Sequence, residues 1–513
     1  MKRIIVLTAM FVSLGATLAR AGEPGGDVNS AVLKETVVRN SLWRGSPSAA
    51  GLAFQPYTVF NTLDLGYNGA FGEYRKIGDG KTSNEIAVST AGAAYLGKFL
   101  VTGDFSFKNI IDKDALYNVL RYEIEDNMPF YPMDDKSSGW TRQAYELHAS
   151  LTSPVLWDFV SFGVSGEYFT KVAAKQLDPR GESYSYGALI RPSVAFSFGE
   201  SVLALNGLYA DYYERSTPSN NNNWESPKIW QHRGLGESTQ GKVGGNDGMK
   251  TIVYRTTKLG GGLQYSYADA LYIGAEFIHR TTDAKENLSL PKRLGSIAEN
   301  DITLDAAWLF GENKSDKLSL GGKFSLTDGI EYVQKLNTTA FQQEWMVISS
   351  NSMSTYTDVR AHLGYDHLFG AGDARGYSWK VGAEADFRIF DQSYLSPAST
   401  SNAMRAYGGV LADKQFKFRN SALLLGVNCG YAAGFGSGYV CGNGKAYATP
   451  KAAMQEQLDF LNADYIKAGG RAELSIETGT KVNWLIAARA DWIGATALGK
   501  DRIAASFSFG ILF

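Results

Sequence analysis

Ile503-Ala504-Ala505-Ser506-Phe507-Ser508-Phe509-Gly510-Ile511-Leu512-Phe513 closes the chain, and its reading decides the fold. Side chains alternate across a strand with period two. Ile503, Ala505, Phe507, Phe509, Ile511 and Phe513 therefore share one face, and Arg502, Ala504, Ser506, Ser508 and Gly510 share the other. One face asks for hydrocarbon; the other is small and polar.

The alternation recurs from Gln55 onward. Phe99, Val101, Phe105 and Phe107 oppose Leu100, Thr102, Asp104, Ser106 and Lys108, and Val160, Phe162, Val164 and Tyr168 oppose Ser161, Gly163, Ser165 and Glu167. Tyr184, Tyr186, Ala188, Ile190, Val194, Phe196 and Phe198 oppose Ser183, Ser185, Gly187, Arg191, Ser193 and Ser197. Such runs are long for soluble sheets and match the ~9–11 residues that cross hydrocarbon at a tilt, with extensions. A chain that stops on an aromatic at the apolar end of such a strand resembles the terminal signal of bacterial outer-membrane β-barrels. The resemblance implies an all-β fold, a transmembrane antiparallel up-and-down β-barrel, multi-pass in the cell outer membrane.

The connections test this independently, because such barrels place short turns on the periplasmic side and long loops outside. Turn residues fall at Gly97, Ser153-Pro154, Gly199-Glu200, Ala268-Asp269, Glu312–Asp316, 370–376, Arg419-Asn420 and 478–480. Between them lie polar inserts at 109–140, 215–250, 283–298, 329–353, 391–403 and 436–461. The bracketed strands number about 18, with 16 or 14 left open by the weak alternation of 404–418; an even count returns the last strand to the periplasm. The insert at 112–135 carries Asp112, Asp114, Glu123, Glu125, Asp126, Asp134 and Asp135, whose spacing fits no calcium loop; the expectation is a solvated acidic loop.

Composition agrees. Hydrophobic residues make up 44% and aromatics 13%, with 28 Tyr, 27 Phe and 56 Gly against 13 Pro. The mean hydropathy of -0.19 suits a wall in which only every second residue meets lipid. A net charge of -2 argues against a nucleic-acid partner. The two cysteines, Cys429 and Cys441, lie symmetrically about Phe435, which leaves open one cross-strand disulfide or two free thiols.

At the start, Met1-Lys2-Arg3, the apolar run Ile4 to Thr17 and Ala19-Arg20-Ala21 read as a signal peptide over residues 1–21. Residues 22–54 do not alternate. Asp27 is placed to cap a short helix through Val28–Val38, and Asn40 to Leu52 is a small-residue stretch around Trp43, Arg44 and Ser46. In position and composition this segment resembles the N-terminal hatch that plugs long-chain fatty-acid transporters. The resemblance implies a hatch at 22–54 ahead of a barrel at 55–513; a periplasmic arm without a gating role is the alternative.

If the apolar face is outward, the other face lines the lumen, and towards the C-terminus it is charged. One strand presents Asp358, Arg360, His362 and Asp366, the next Lys380, Glu384, Asp386 and Arg388, and later ones Lys467, Arg471 and Glu473, then Arg489 and Asp491. Opposite charges on neighbouring strands pair across a ladder. The nearest thing to a catalytic constellation is His362 between Asp358 and Asp366, but residues four apart on a strand stand ~13 Å apart. His148, His232, His279 and His367 show no metal-ligand spacing. The expectation is therefore a non-enzyme without cofactor or metal: a monomeric barrel, embedded in outer-membrane lipid, that passes or binds a small solute, hydrophobic ones included. Trp43, Arg44 and Ser46 would be hatch elements and Arg360, Asp386 and Arg388 would line the conduit. Free diffusion as in porins is disfavoured by the hatch, and import of the 22-strand, folded-plug type by the chain's small size. A barrel that anchors or assists an envelope protein partner, and a barrel hydrolase acting through His362, are the other readings.

Overall fold

The computed structural model describes residues 28–222, 224–244, 248–339, 343–442, 447–478 and 482–513. The signal peptide, the Asp27 cap and most of the 478–480 turn lie outside the described residues.

Eighteen antiparallel strands form the wall: β1 (Thr62–Gly72), β2 (Thr82–Leu96), β3 (Phe99–Ala115), β4 (Ser138–Thr152), β5 (Val160–Lys175) and β6 (Arg180–Phe198). Then come β7 (Ser201–Ser219), β8 (Ile252–Tyr267), β9 (Leu271–Glu286), β10 (Lys292–Phe310), β11 (Asp316–Asn337) and β12 (Glu344–Phe369). The last six are β13 (Trp379–Tyr394), β14 (Ser399–Lys417), β15 (Ser421–Gly434), β16 (Tyr465–Glu477), β17 (Asn483–Ala495) and β18 (Lys500–Leu512). Each pairs with its neighbours in sequence, and β18 returns to β1, so no wall edge is left open. At that seam Phe507 stands opposite Tyr67 and Phe509 opposite Leu65. Asn61 and Phe513 then exchange backbone hydrogen bonds of 2.7 and 3.0 Å, which ties the chain end down.

The terminal strand faces as its sequence requires: Ile503, Phe507 and Phe509 are exposed on the outer surface. Tyr267, Trp308, Phe369, Trp379, Phe416 and Trp484 are exposed at strand ends beside the short turns, an aromatic girdle at the periplasmic rim. Higher up, the outward pair Asp211 and Arg255, 2.8 Å apart, lies beyond Tyr209 and Leu259, where the apolar band has ended. The protein is a multi-pass β-barrel of the outer membrane, because lipid-facing apolar residues and paired lumenal charges are both accounted for by one wall.

The short turns fall where expected. Three of the expected long inserts, at 283–298, 329–353 and 391–403, are mostly strand, with connections of only 287–291, 338–343 and 395–398. Above the hydrocarbon both faces meet water, so alternation fades while the ladder continues. β11 and β12 reach 22 and 26 residues. Ladder pairing with their outer neighbours stops at Ile330 and Ser354, and beyond it the described part of the hairpin is tied by side chains, Tyr332 to Ser296 at 2.6 Å, Gln334 to the Arg293 backbone at 2.7 and 3.1 Å, and Glu331 to Arg233 at 2.9 Å.

The remaining inserts turn inward. Residues 116–137, 220–251 and 435–464, the last carrying helix Ala448–Asn462, meet inside the upper barrel. Val119, Leu120, Met128, Phe130 and Ile229 are buried there with the strand residues Tyr254 and Ile297. This is a lid with its own core. At the other end, residues 28–61 enter the barrel as helix α1 (Ala31–Asn40), a bend, and a 3-10 turn over Ala49–Phe54. Ser30 caps α1 by accepting from Leu33 N–H at 3.3 Å. The two cysteines are free: Cys429 is on the outer face of β15, opposite Val410 and Ala468, and Cys441 lies in the inturned loop. The disulfide alternative fails because Cys429 pairs with Val410 of β14 while Val440, beside Cys441, pairs with Thr400, ~33 Å further along the same strand.

Candidate functional site

The hatch meets the wall in two different ways. Over residues 42–54 it is fitted by shape. Trp43 is buried, donates its indole N–H to Ser266 Oγ at 3.0 Å, and stands edge-on to Tyr272 with ring centroids 5.4 Å apart. Gly51 lies against the Trp43 ring, so that a methyl group there would run into it. Tyr272 donates to Ser46 Oγ at 3.0 Å, Ser193 Oγ accepts from Ala50 N–H at 3.1 Å, and Thr152 donates to the Ala49 carbonyl at 2.8 Å. The facing wall is small, with Ala195, Ala204 and Gly163, which lets the backbone of 49–51 close against it. Arg44 turns back into its own segment: its guanidinium lies 4.4 Å from the Tyr57 ring centre and 4.6 Å from that of Phe60, and donates to the Thr58 carbonyl at 2.9 Å. Of the three expected hatch residues, Trp43 and Ser46 hold the wall and Arg44 holds the hatch together.

Helix α1 is held by one buried apolar residue, Val32 among Leu368, Tyr377 and Leu424, and otherwise by charge. Glu35 and Arg39, one turn apart, reach opposite partners. Glu35 accepts from Lys380 at 2.7 Å, from Tyr377 O–H at 3.0 Å and from Arg471 at 3.1 Å. Burial alone would raise the Glu35 pKa, but Lys380 and Arg471 hold it below its ordinary value. Arg39 pairs with Asp366 at 2.5 Å and donates to the Lys314 and Ser315 carbonyls at 2.7 and 3.1 Å. Arg471 also holds Asp413 at 2.6 Å and Glu473 at 3.2 Å.

The expected lumenal residues face inward, and opposite charges pair across neighbouring strands as expected. His362 Nδ1 lies 2.7 Å from Asp386 of the next strand, and neither Asp358 nor Asp366 joins it. Asp358 instead sits between Arg360 at 2.6 Å and Arg388 at 2.8 Å. Arg489 pairs with Asp491 along its own strand at 2.6 Å. Ser319 Oγ and His362 Nε2 both approach Gly364, at 2.6 and 3.1 Å from where a Cβ would stand. Ser319 nevertheless donates to the Gly364 carbonyl at 3.3 Å, and no hydrogen bond joins it to His362 among the described residues. The arrangement lacks an activated nucleophile.

Between hatch and lid the lumen is hollow. A cavity of 650 Å³ is lined by Lys323, Arg360, His362, Glu384, Arg405 and Lys467, among others. A second, of 530 Å³, lies against α1 and is lined by Glu35, Arg39, Asp64, Lys317, Lys380 and Arg471. A third, of 280 Å³, shares Glu384 and Lys467 with the first and Lys380 and Arg471 with the second. Arg405 and Lys467 form no ion pair among the described residues; each lies over a tyrosine ring instead, Tyr465 at 5.4 Å and Tyr407 at 5.9 Å.

The acidic insert is the clamp of the lid, which corrects the expectation of a solvated loop. Asp126 reaches Lys76 at 3.1 Å and Arg388 at 3.0 Å, and Glu125 reaches Arg280 at 2.7 Å. Burial opposes ionisation of Glu125, yet Arg280 and Arg121 bring its pKa down to about 2. Asp134 pairs with Lys175 but keeps one carboxylate oxygen buried and unpartnered, and burial pushes its pKa up to about 6. No cluster of metal-ligating side chains occurs among the described residues. The sequence reading missed Glu35, Arg39, Tyr377, Asp413 and the lid pairs; only the i, i+4 spacing of Glu35 and Arg39 was there to be seen.

A family model matches residues 49–513, that is, the 3-10 turn of the hatch and the whole barrel. The chain belongs to DUF6850, a family of unknown function. No curated protein matches it in sequence. Among solved structures it is similar to BauA, the ferric preacinetobactin receptor from Acinetobacter baumannii, with 10% identity, 89% of this chain and 80% of that one covered, and a TM-score of 0.40. It is also similar to the outer membrane transporter YddB from Escherichia coli, with 9% identity, 88% and 80% covered, and a TM-score of 0.41. The TodX deltaS2S3 mutant, a monoaromatic hydrocarbon channel, matches at 12% identity over 91% and 92%, with a TM-score of 0.30.

Proposed function

We propose that this barrel is a conduit for a small polar solute, closed by two gates in series. The observation that carries the reading is the charged hollow between them. A barrel that served only as an anchor gains nothing from a 650 Å³ hollow lined by Arg405 and Lys467, which form no ion pair among the described residues. A hydrophobic solute is disfavoured, since it would strip water from these groups without replacing their hydrogen bonds. Enzymatic chemistry is not part of the proposal, because His362 has a carboxylate partner but no nucleophile hydrogen-bonded to it.

The test is solute flux into proteoliposomes. Gates in series leave permeability limited by whichever stays shut. Removal of residues 28–54 alone, or of the lid clamp alone by Glu125→Ala with Asp126→Ala, should admit little sorbitol. The combined variant should admit it freely. A combined variant as tight as the native barrel would end the conduit reading.

A second reading keeps one observation in its favour. The hairpin beyond Ile330 and Ser354 extends past the ladders of its neighbours, with Val333, Met346, Val347 and Ile348 exposed. Such an extension invites strand addition by a protein partner, as an accessory barrel would need. Cutting the hairpin back to the rim should then abolish complex formation in the native envelope while leaving flux through the combined variant unchanged.

A further inference from the structure

Lys380, Tyr377 and Arg471 surround the Glu35 carboxylate with three donors at 2.7, 3.0 and 3.1 Å, from two strands and the turn before one of them. This is the donor set a protein uses to recognise a free carboxylate. It belongs to the wall, and the carboxylate it holds belongs to the hatch. Two cavities, of 530 and 280 Å³, open on either side of it, and both are lined by Lys380 and Arg471. The larger falls within the ~300–1,000 Å³ of small-molecule sites.

We infer that Lys380, Tyr377 and Arg471 form a binding site for the carboxylate of the transported solute, and that Glu35 occupies it in the closed state as a built-in competitor. Arrival of the solute and departure of Glu35 are then one exchange. The donors Glu35 uses pass to the incoming carboxylate, while Arg471 keeps Asp413 and Glu473. The first half of α1 then keeps only the Ala31 N–H bond to Ser475 Oγ at 3.0 Å and the apolar contact of Val32, buried with Leu368, Tyr377 and Leu424, among its described anchors. Arg39, paired with Asp366, stays as the pivot next to the docked Trp43 segment. The other charged groups lining the larger cavity, Lys34, Asp64, Lys317 and Glu473, leave both signs available for the rest of the solute. A ligand that lacks a carboxylate cannot displace Glu35, so the latch also selects.

The inference rests on the conduit reading but is tested apart from it. Equilibrium dialysis of the purified full chain in detergent measures binding of gluconate, benzoate and sorbitol, however slowly they enter. Gluconate should bind and sorbitol should not; benzoate decides whether a hydroxylated or an aromatic carboxylate fits better. Glu35→Ala should tighten carboxylate binding by roughly tenfold, because the competitor is gone, and Lys380→Met should weaken it by a similar factor. Saturating gluconate should also speed tryptic cleavage after Lys34 in the native protein. A Glu35→Ala chain that binds gluconate no better than native, or a Lys380→Met chain that binds it equally well, overturns the site even if the combined variant conducts. Binding that follows these rules in a barrel that never conducts would retain the site and discard the conduit.

Discussion

The two halves of the hatch sit a few residues apart and are held by opposite kinds of force. Residues 42–54 fill a hollow in a wall of small side chains, with the Trp43 ring on Gly51 and against Tyr272. Helix α1 touches its wall through the carboxylate of Glu35, the guanidinium of Arg39 and one buried apolar residue, Val32, against Leu368, Tyr377 and Leu424. Packing of the first kind has one good arrangement and fails steeply when disturbed. Charged contacts across a wet cavity exchange partners at small cost, because water and solutes compete for the same donors. The docked half is built to stay, and the helix is built to leave.

The largest effect should come from breaking the fitted half. Trp43→Ala removes the side chain that fills the hollow and should cost the hatch about 3–5 kcal/mol of docking free energy. Limited proteolysis would show it as rapid tryptic cleavage after Arg44. Gly51→Val should do nearly the same by forcing the ring out. Next is the latch itself. Glu35→Ala should cost about 1.5–3 kcal/mol, speed cleavage after Lys34, and leave the Arg44 site protected. If both sites open together in Glu35→Ala, the two halves are one unit and the comparison fails.

How much of this the sequence disclosed follows from which forces repeat along it. Lipid acts on every second residue of every strand, so the facing of Phe507, Tyr184 or Phe162 could be read locally, and with it the barrel, its short turns and a count of about 18 strands. The latch could not be read. Glu35 meets Lys380 and Arg471 across 345 and 436 residues of chain, and no local pattern encodes such a meeting. The wall charges Asp358, Arg388 and Arg471 were legible as lumenal, but their pairings were not, because a barrel brings in partners from the loop as well as the next strand, as Asp126 does for Arg388. The acidic insert misled for the same reason. Its carboxylates suggested water, while Val119, Leu120, Met128 and Phe130, scattered among them, were the sign of a folded lid.

Acid should separate the gates. Glu35 has its pKa lowered from the ordinary 4.5 in the folded hatch, so its contribution is complete above pH 4.5 and is lost as pH falls through the lowered value. Gluconate-independent opening of the combined lid variant, with the hatch intact, should therefore appear only on the acid side of pH 4.5, by conductance in planar bilayers. In the native lid the Glu125 clamp, with a pKa of about 2, should hold until pH approaches that value. The smallest effect concerns Asp134. Its pKa of about 6 means that the folded lid takes up a proton before the unfolded chain does, so lid stability should rise slightly as pH falls from 7 to 5. Amide protection factors over 116–137, which remove the intrinsic pH dependence of exchange, should rise in that interval while those of α1 are unchanged.

Amide hydrogen exchange across residues 28–54, native against Glu35→Ala at neutral pH, puts the central claim to the most direct test. The account predicts that the amides of 31–40 exchange at least tenfold faster in the variant, while those of 43–52 keep their native rates. Equal acceleration of both stretches, or of neither, would contradict a hatch divided into a fixed half and a charge-latched one.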